Sequence, residues 1–216
     1  MASKKEKMDI VGQTLRALKQ NRFDAIFARN QKEALTCVLD LISNGAVVGA
    51  GDSLTLEKIG VFEELKRRNF TVYWPFDKSI PKEERRSIAR KALAADVFLS
   101  SSNAVTMDGK IVNVDATGNR VAGIMFGPKK SIIVVGINKI VKNLDDAFDR
   151  IKNHAAPLNA KRLREEREWE LLPCVKTGKC MDCNGENRIC NITTIIENKP
   201  RAIDMTVVIV GEKLGL

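Results

Sequence analysis

The chain has 216 residues and carries 36 lysine and arginine side chains against 27 acidic ones, a formal net charge of +9. Hydrophobic residues make up 44% and charged residues 29% of it, which excludes a disordered chain and predicts one globular domain with room for a small appendage. No apolar run approaches the roughly 20 residues of a membrane span, and the first residues do not resemble a secretory signal, so we expect a cytoplasmic protein.

Helix and strand signals alternate from the start of the chain. Periodic apolar residues predict a helix over residues 4–20, followed by a strand over residues 23–28. Asn30 is expected to cap a second helix. An apolar strand that begins at residue 46 then runs into a glycine-rich turn and a helical segment through Ile59.

The later elements continue the alternation, and an Asp-Gly pair marks one hairpin. They are a strand over 70–74, a helix over 81–95 opened by Pro81, a strand over 97–100, hairpin strands over 104–106 and 111–114 around Asp108-Gly109, a central strand over 131–136, helices over 144–154 and 158–171, and a last strand over 204–210 that returns to the sheet. Short apolar strands between helices predict an α/β fold with a mostly parallel sheet flanked by helices.

The excess of basic residues suits anionic partners. Most of these residues are interleaved with acids, as in KEERR and KRLREERE, a pattern typical of solvated helix faces. Because basic and aromatic residues do not alternate anywhere in the chain, we do not expect a nucleic-acid partner. A small carboxylate or a phosphorylated ligand fits the charge better.

Four of the five cysteines form a cluster, Cys174-x5-Cys180-x2-Cys183-x6-Cys190. In a cytosolic protein such a group favours a metal or cluster site over disulfides. Four thiolates can hold an iron–sulfur cluster, with [4Fe–4S] favoured, or tetrahedral zinc. The spacing matches neither a zinc ribbon nor a ferredoxin, so both alternatives remain open. Cys37 lies on an apolar helix face and is predicted to be a core residue.

A glycine-rich turn, GAGDSLTLEKIG, occupies residues 49–60 between a strand and a helix. Small residues there allow backbone N–H groups to approach an anion at the positive end of the helix. The pattern is neither GxGxxG nor a Walker loop, so neither NAD nor ATP is implied. The alternative is a tight turn in which Asp52 or Ser53 caps the helix.

A long polar run, SSNAVTMDGKIVNVDATGNRVAGIMFGPKK, occupies residues 101–130. A pocket for a carboxylate or phosphate there would use Arg120 or Lys129 beside backbone donors. The alternative is an ordinary hairpin with a charged exit loop. The one histidine, His154, is expected at the surface, and no Ser/His/Asp arrangement is recognisable.

Three segments, GDSLTLEKIGV, the run over residues 101–141 and TGKCMDCNGENRICN, together resemble the LUD domain family of lactate-utilisation proteins. The resemblance covers roughly residues 9–210. It implies a fold related to ribose-phosphate isomerase and CoA-transferase-like proteins. It also implies a role with partner iron–sulfur proteins in oxidising L-lactate to pyruvate.

On this resemblance we divide the chain into three parts. Residues 1–172 would form the LUD-type α/β domain, residues 173–191 a cysteine-rich metal or cluster segment, and residues 192–216 a C-terminal strand that returns to the domain. Cys174, Cys180, Cys183 and Cys190 match the tail of a stand-alone branch of the family. The chain has no ferredoxin-like double cluster motif, so we do not expect it to be the long electron-transferring subunit.

The expected ligand-binding residues are those that match the family's glycine-rich loop, its polar motif and the loop that follows. They are Gly51, Asp52, Ser53, Thr55, Asn103, Thr106, Asp115, Gly118, Asn119, Arg120 and Lys129. Ala116 stands where the family commonly has glycine.

The first hypothesis is a subunit or accessory factor of 2-hydroxy acid oxidation. The N–H groups of residues 51–53 and the Arg120 side chain would hold the anion, while Asn103, Thr106 and Asn119 orient its hydroxyl or carbonyl. On this hypothesis, Arg120→Ala weakens ligand binding and leaves the fold intact.

Two alternatives come from other classes of protein. One is a non-redox ligand-binding or regulatory domain whose cysteines hold structural zinc. The other is a sugar-phosphate or CoA-type enzyme that uses Glu57 as nucleophile or base, although a surface role for Glu57 is favoured.

Overall fold

Two β-sheets organise residues 4–167 and 171–216, which the computed structural model describes. The helices are α1 (Lys4–Gln20), α2 (Gln31–Asp40), α3 (Leu54–Lys58), α4 (Val61–Arg67), α5 (Arg85–Ala92), α6 (Asn119–Met125), α7 (Leu144–Arg150), α8 (Ala156–Arg167) and α9 (Pro173–Thr177). The strands are β1 (Asp24–Ala28), β2 (Val48–Ala50), β3 (Val72–Tyr73), β4 (Val97–Ser100), β5 (Ala104–Thr106), β6 (Ile111–Asp115), β7 (Lys130–Gly136), β8 (Ile140–Val141), β9 (Ile192–Ile196) and β10 (Asp204–Val210).

The larger sheet is fully parallel, with strand order β1-β10-β7-β4-β2-β3. Side chains alternate between its faces, so Ile132 and Val134 of β7 join one core while Ile133 and Val135 join the other. Helices α2, α3 and α4 cover the first face, and α1, α5 and α6 cover the second. Because both faces are covered, β7 and β10 are apolar along almost their whole length.

The smaller sheet has strand order β8-β5-β6-β9. Strands β5 and β6 form the antiparallel hairpin that the Asp108-Gly109 pair predicts. Gly109 has a φ of +83°, and a Cβ at this position would lie 2.7 Å from the Ala17 carbonyl carbon. Glycine therefore allows both the turn and the close packing of the hairpin on α1.

The predicted fold class, an α/β fold with a mostly parallel sheet flanked by helices, is confirmed. The last predicted strand, β10, does return to the sheet and lies between β1 and β7. Helix α5 is shorter than predicted because residues 82–84 form turns before Arg85. No helix in the described ranges is both long and apolar enough to cross a membrane.

The two helices predicted after residue 144 are one continuous helical run from Leu144 to Arg167. A π-helical turn at Ile151–Ala155 joins them and ends two residues before Pro157. Proline lacks an N–H and clashes with the preceding turn, so a widened turn lets the run continue past it. Residues 168–170 of the predicted second helix lie outside the described residues.

Candidate functional site

A polar cavity of about 250 Å³ lies at the carboxyl ends of β2, β4 and β7. Parallel strands bring the loops that follow them to this one edge of the sheet, where α/β proteins bind ligands. The polar residues that line the cavity come from these loops, from β6 and from α6 and α8: Asp52, Ser53, Thr55, Ser101, Ser102, Asn103, Asp115, Thr117, Asn119, Arg120, Lys139, Asn159 and Arg162. Gly215 and Leu216 also contribute to its wall.

Many of the residues expected to bind a ligand meet at this cavity. They come from the glycine-rich turn and from the polar run, which lie far apart in the sequence: Asp52, Ser53, Thr55, Asn103, Asp115, Asn119 and Arg120. Ser53 also caps α3, since its Oγ accepts a hydrogen bond of 3.2 Å from the Leu56 N–H. Ser53 therefore both caps α3 and lines the cavity.

The Arg120 guanidinium group lies in the cavity wall, where it is held by protein groups on every side. Its guanidinium group contacts one carboxylate, two side-chain amides and two backbone carbonyls: Asp115 Oδ2 at 3.2 Å, Asn113 Oδ1 at 2.6 Å, Asn103 Oδ1 at 3.0 Å, Ser101 O at 3.1 Å and Val114 O at 2.7 Å. A guanidinium group has five N–H donors, and these contacts use all five. Arg120 thus joins these groups of the cavity wall, and each of its donors has a protein partner in this structure.

Gly51 and Gly118 support the cavity without lining it. A Cβ on Gly51 would lie 2.8 Å from Arg120 Cγ, so glycine leaves space for the arginine stem. Gly118 has a φ of +87° and precedes α6, and its N–H donates to Asp115 Oδ1 at 2.8 Å. The two glycines place Asp115 and Arg120 against each other.

Three residues singled out from the sequence lie away from the cavity. Lys129 precedes β7 and so lies at the amino ends of the strands, whereas the cavity lies at their carboxyl ends. Its 86% exposed side chain pairs with Asp96 at 3.2 Å. Thr106 is buried in the hairpin, where its hydroxyl bonds to Asp108 and accepts the Lys110 N–H at 2.9 Å. Glu57 is exposed on α3 and is not part of the cavity wall, so the structure does not place it for catalysis.

Lys139 lines the cavity but was missed from the sequence. It ends a 3₁₀ turn after β7, is 5% exposed, and its Nζ lies 2.9 Å from Ser101 Oγ and 3.1 Å from Thr55 Oγ1. Burial, followed by the charges of Arg150, Arg120 and Lys58, lowers the pKa of Lys139 to about 7. Its place after the carboxyl end of a central strand was the signal that could have found it.

Lys139 should make stability depend on pH. In the unfolded chain a lysine has its ordinary pKa of about 10.4, so between about pH 7 and that value the unfolded state binds more protons and stability rises with pH. We expect Lys139→Met to be more stable than the wild type at about pH 7 and to lose this rise, which amounts to at most about 1.4 kcal/mol per pH unit. Urea unfolding over this pH range measures it, with Lys129→Met as the exposed control. Equal slopes for the wild type and Lys139→Met would contradict the expectation.

Arg162 and Asn159 lie on α8 and line the cavity, although the sequence pattern predicted that this helix is exposed to solvent. Arg162 Nη2 lies 2.7 Å from Asp52 Oδ2 and 2.9 Å from Asn159 Oδ1. The Arg162 side chain is only 12% exposed. Its ion pair with Asp52 joins α8 to the glycine-rich turn and closes one side of the cavity.

The four clustered cysteines line a second, much smaller cavity of about 20 Å³. Burial first, and then neighbouring thiols, raises the pKa of Cys190 to about 11 and also raises that of Cys174. All four are free thiols. Within the described ranges, no three His, Cys, Asp or Glu side chains converge closely enough to hold a metal ion. Cys37 lies apart and packs against the core as a half-buried residue.

The cysteine segment is attached to the wall of the polar cavity. Ile189 borders both cavities. The Asn191 N–H donates to the Asp115 carbonyl at 3.0 Å, and Asn191 Nδ2 donates to the Ala116 carbonyl at 3.1 Å. From Ile192 onward the chain pairs with β6 as β9. A movement of the cysteine segment would therefore also shift the backbone around Asp115, to which it is hydrogen-bonded.

Comparisons with known proteins agree with this architecture. A family model described as the LUD domain matches residues 11–210. A search of curated proteins finds no match. Among solved structures, a DUF162 family protein from Deinococcus radiodurans matches with a TM-score of 0.55 and 13% sequence identity, over 94% of this chain and 98% of that one. At this identity the structural likeness shows the fold alone.

Proposed function

This chain belongs to the LUD domain family, which is related to lactate utilisation, and from that premise we propose that it takes part in oxidising a lactate-type 2-hydroxy acid to the 2-oxo acid. The acid would bind in the polar cavity. Its two electrons would leave one at a time through an iron–sulfur centre at the four cysteines and pass to partner iron–sulfur proteins in the cytoplasm, while its two protons would pass to the solvent. The observation that carries the proposal is the shared wall at Ile189, which puts the two cavities side by side.

The size and chemistry of the polar cavity favour a small acid. Its volume of about 250 Å³ lies below the range of about 300–1,000 Å³ for drug-sized ligands, so it can enclose a small acid, whereas most of a dinucleotide or an acyl-CoA would lie outside it. Hydroxyl groups of Ser101 and Thr55 and the amide of Asn119 face the same space as Lys139. These groups can bond the hydroxyl or carbonyl oxygen of the acid while a cation balances its carboxylate.

The donor set of the cysteine segment suits the proposed centre. Cys174, Cys180, Cys183 and Cys190 supply four soft sulfur ligands around one cavity, the type of donor that iron–sulfur clusters and zinc prefer. Because no three of these side chains converge closely enough to hold a metal ion and the cavity between them is only about 20 Å³, the segment would have to rearrange to hold a cluster. When bound, an iron–sulfur centre would supply one-electron transfer beside the substrate cavity.

Metal analysis of protein purified without oxygen tests this part of the proposal. We expect about four irons and four sulfides per chain and a broad absorption band at about 400 nm. Cys183→Ser should lower the iron content sharply, while the matched control Cys37→Ser should retain it because Cys37 packs elsewhere. One zinc per chain in a colourless protein would contradict electron transfer through this segment.

A structural zinc site is the second candidate role for the cysteines. The observation in its favour is that backbone hydrogen bonds fasten the segment to two parts of the fold, through Asn191 to Asp115 and through the Cys180 N–H to the Lys152 carbonyl at 2.8 Å. Zinc would then stabilise these attachments, and the chain would serve as a non-redox ligand-binding domain. In this role, removing the zinc with a chelator would lower the thermal stability of the protein, and the protein would carry out no electron transfer with or without zinc.

A further inference from the structure

Among the described side chains that line the polar cavity, three are cationic and two are carboxylates. Two of its cations are paired with carboxylates, Arg120 with Asp115 and Arg162 with Asp52. Lys139, in contrast, forms no ion pair with a carboxylate among the described residues, and its hydrogen-bond partners are two neutral hydroxyls. A buried cation without a counter-charge is costly unless a ligand supplies that charge.

Arg150 on α7 adds to this excess of charge from behind the cavity wall. Its Nη1 donates to the Asn103 carbonyl at 2.6 Å and its Nε to the Asn138 carbonyl at 3.1 Å, both of them neutral acceptors. Lys58 on α3 and Arg120 on α6 also act on Lys139. The charged groups that face Lys139 are therefore mainly cations, and they favour an anion in the adjoining space.

The surroundings of Lys139 suit both of its protonation states. Hydroxyl groups can donate as well as accept, so Ser101 and Thr55 can accept from an ammonium group or donate to a neutral amine. The two hydroxyls lie 3.3 Å apart and form a pair beside Nζ. Neutral Lys139 would leave no unsatisfied charge in the empty cavity, while an ammonium group would have one remaining N–H for a ligand.

We propose that Lys139 binds the carboxylate of the ligand and that each carboxylate enters the cavity together with one proton. The inference rests on the proposed function, because it requires the acid to occupy the polar cavity. The lowered pKa of about 7 supports it, since above neutral pH the empty protein would hold a mostly uncharged amine. A carboxylate beside this amine would favour the charged form and draw a proton from solution.

Calorimetric titration of the full chain with pyruvate and with L-lactate tests the proposal. The titrations are made from about pH 6 to about pH 9, each in two buffers with different ionisation enthalpies, so that bound protons can be counted. We expect an uptake of about one proton per ligand at about pH 8 and little uptake at about pH 6. Affinity should fall by about tenfold for each pH unit above about 7 and level off below it.

Two variants connect this behaviour to Lys139. Lys139→Met should reduce affinity at least about tenfold at about pH 7 and abolish proton uptake, and its unfolding curve will show whether it is folded. Lys129→Met is the matched control, since Lys129 is exposed at the opposite edge of the sheet and should retain both affinity and uptake. Sulfate, which does not titrate in this range, tests whether a carboxylate is required.

The outcomes separate this inference from the proposed function. Binding of pyruvate with no proton uptake, or unchanged binding by Lys139→Met, would overturn the role of Lys139 and leave the cavity as a ligand site. Sulfate binding as tightly as pyruvate would overturn the assignment to carboxylates. No binding of either acid would overturn both the inference and the cavity assignment. Proton-coupled binding by a protein without iron would support the inference and overturn only the electron-transfer part of the proposed function.

Discussion

Arg120→Ala is expected to lower the free energy of unfolding by about 3–5 kcal/mol, because it leaves a buried carboxylate without its partner. Asp115 is 7% exposed and would lose the guanidinium group 3.2 Å away, although it would keep the N–H groups of Thr117 and Gly118. Asn103 and Asn113 would each lose a donor as well. Urea denaturation of the purified variant measures the change.

Arg67→Ala is the matched control for this substitution. Arg67 also makes a close ion pair, 2.7 Å to Glu64, but its side chain is 71% exposed, so its loss should lower the free energy of unfolding far less than the loss of Arg120. Arg120→Lys should be intermediate, because an ammonium group cannot reach all five acceptors of a planar guanidinium group. If Arg120→Ala kept wild-type stability and lost only ligand affinity, Arg120 would be the direct anion ligand that the sequence suggests.

Phe98→Ala should lower the free energy of unfolding by about 3–5 kcal/mol, the usual cost of removing a buried aromatic ring. Phe98 is 1% exposed on β4 and packs so closely on α6 that a Cβ on Gly123 would lie 2.5 Å from its ring. Without the ring, α6 loses one of the contacts that hold it to the sheet, beside that of Ile124. The effect is measured by urea denaturation and should be accompanied by weaker ligand binding, since α6 carries Asn119 into the cavity.

Phe126 provides the control for this second prediction. It has the same side chain but is 73% exposed, so Phe126→Ala should change the free energy of unfolding by no more than about 0.5 kcal/mol. If Phe98→Ala and Phe126→Ala lowered the free energy of unfolding by similar amounts, the burial of Phe98 on β4 would not explain its effect.

Periodicity was sufficient to predict much of the fold. The apolar runs of β7 and β10 identify strands that are covered on both faces, and the Asp108-Gly109 pair identifies the hairpin. Helix α6 was missed because its sequence, NRVAGIM, is short and follows a polar run without a helical apolar stripe. Its position depends instead on the contact between Gly123 and Phe98, which is a tertiary effect.

The residues of the cavity could be predicted only in part. The glycine-rich turn and the polar run indicated residues at strand ends, and parallel strands bring such residues together. The sequence could not show that Asp115 and nearby amides accept the hydrogen bonds of Arg120, because these contacts depend on the packing of β6 against α6. Arg162 was missed because α8 has too weak an apolar pattern to show which side is buried.

The position of β10 determines when the larger sheet can be completed during synthesis. β1, at Asp24–Ala28, lies at the edge of that sheet, and the strand beside it is β10, at Asp204–Val210. While the chain is being made, β1 and one side of β7 must therefore remain exposed until nearly all the residues described here have left the ribosome. Exposed strand edges pair readily with other chains, so nascent chains that stop before Asp204 should be prone to aggregate.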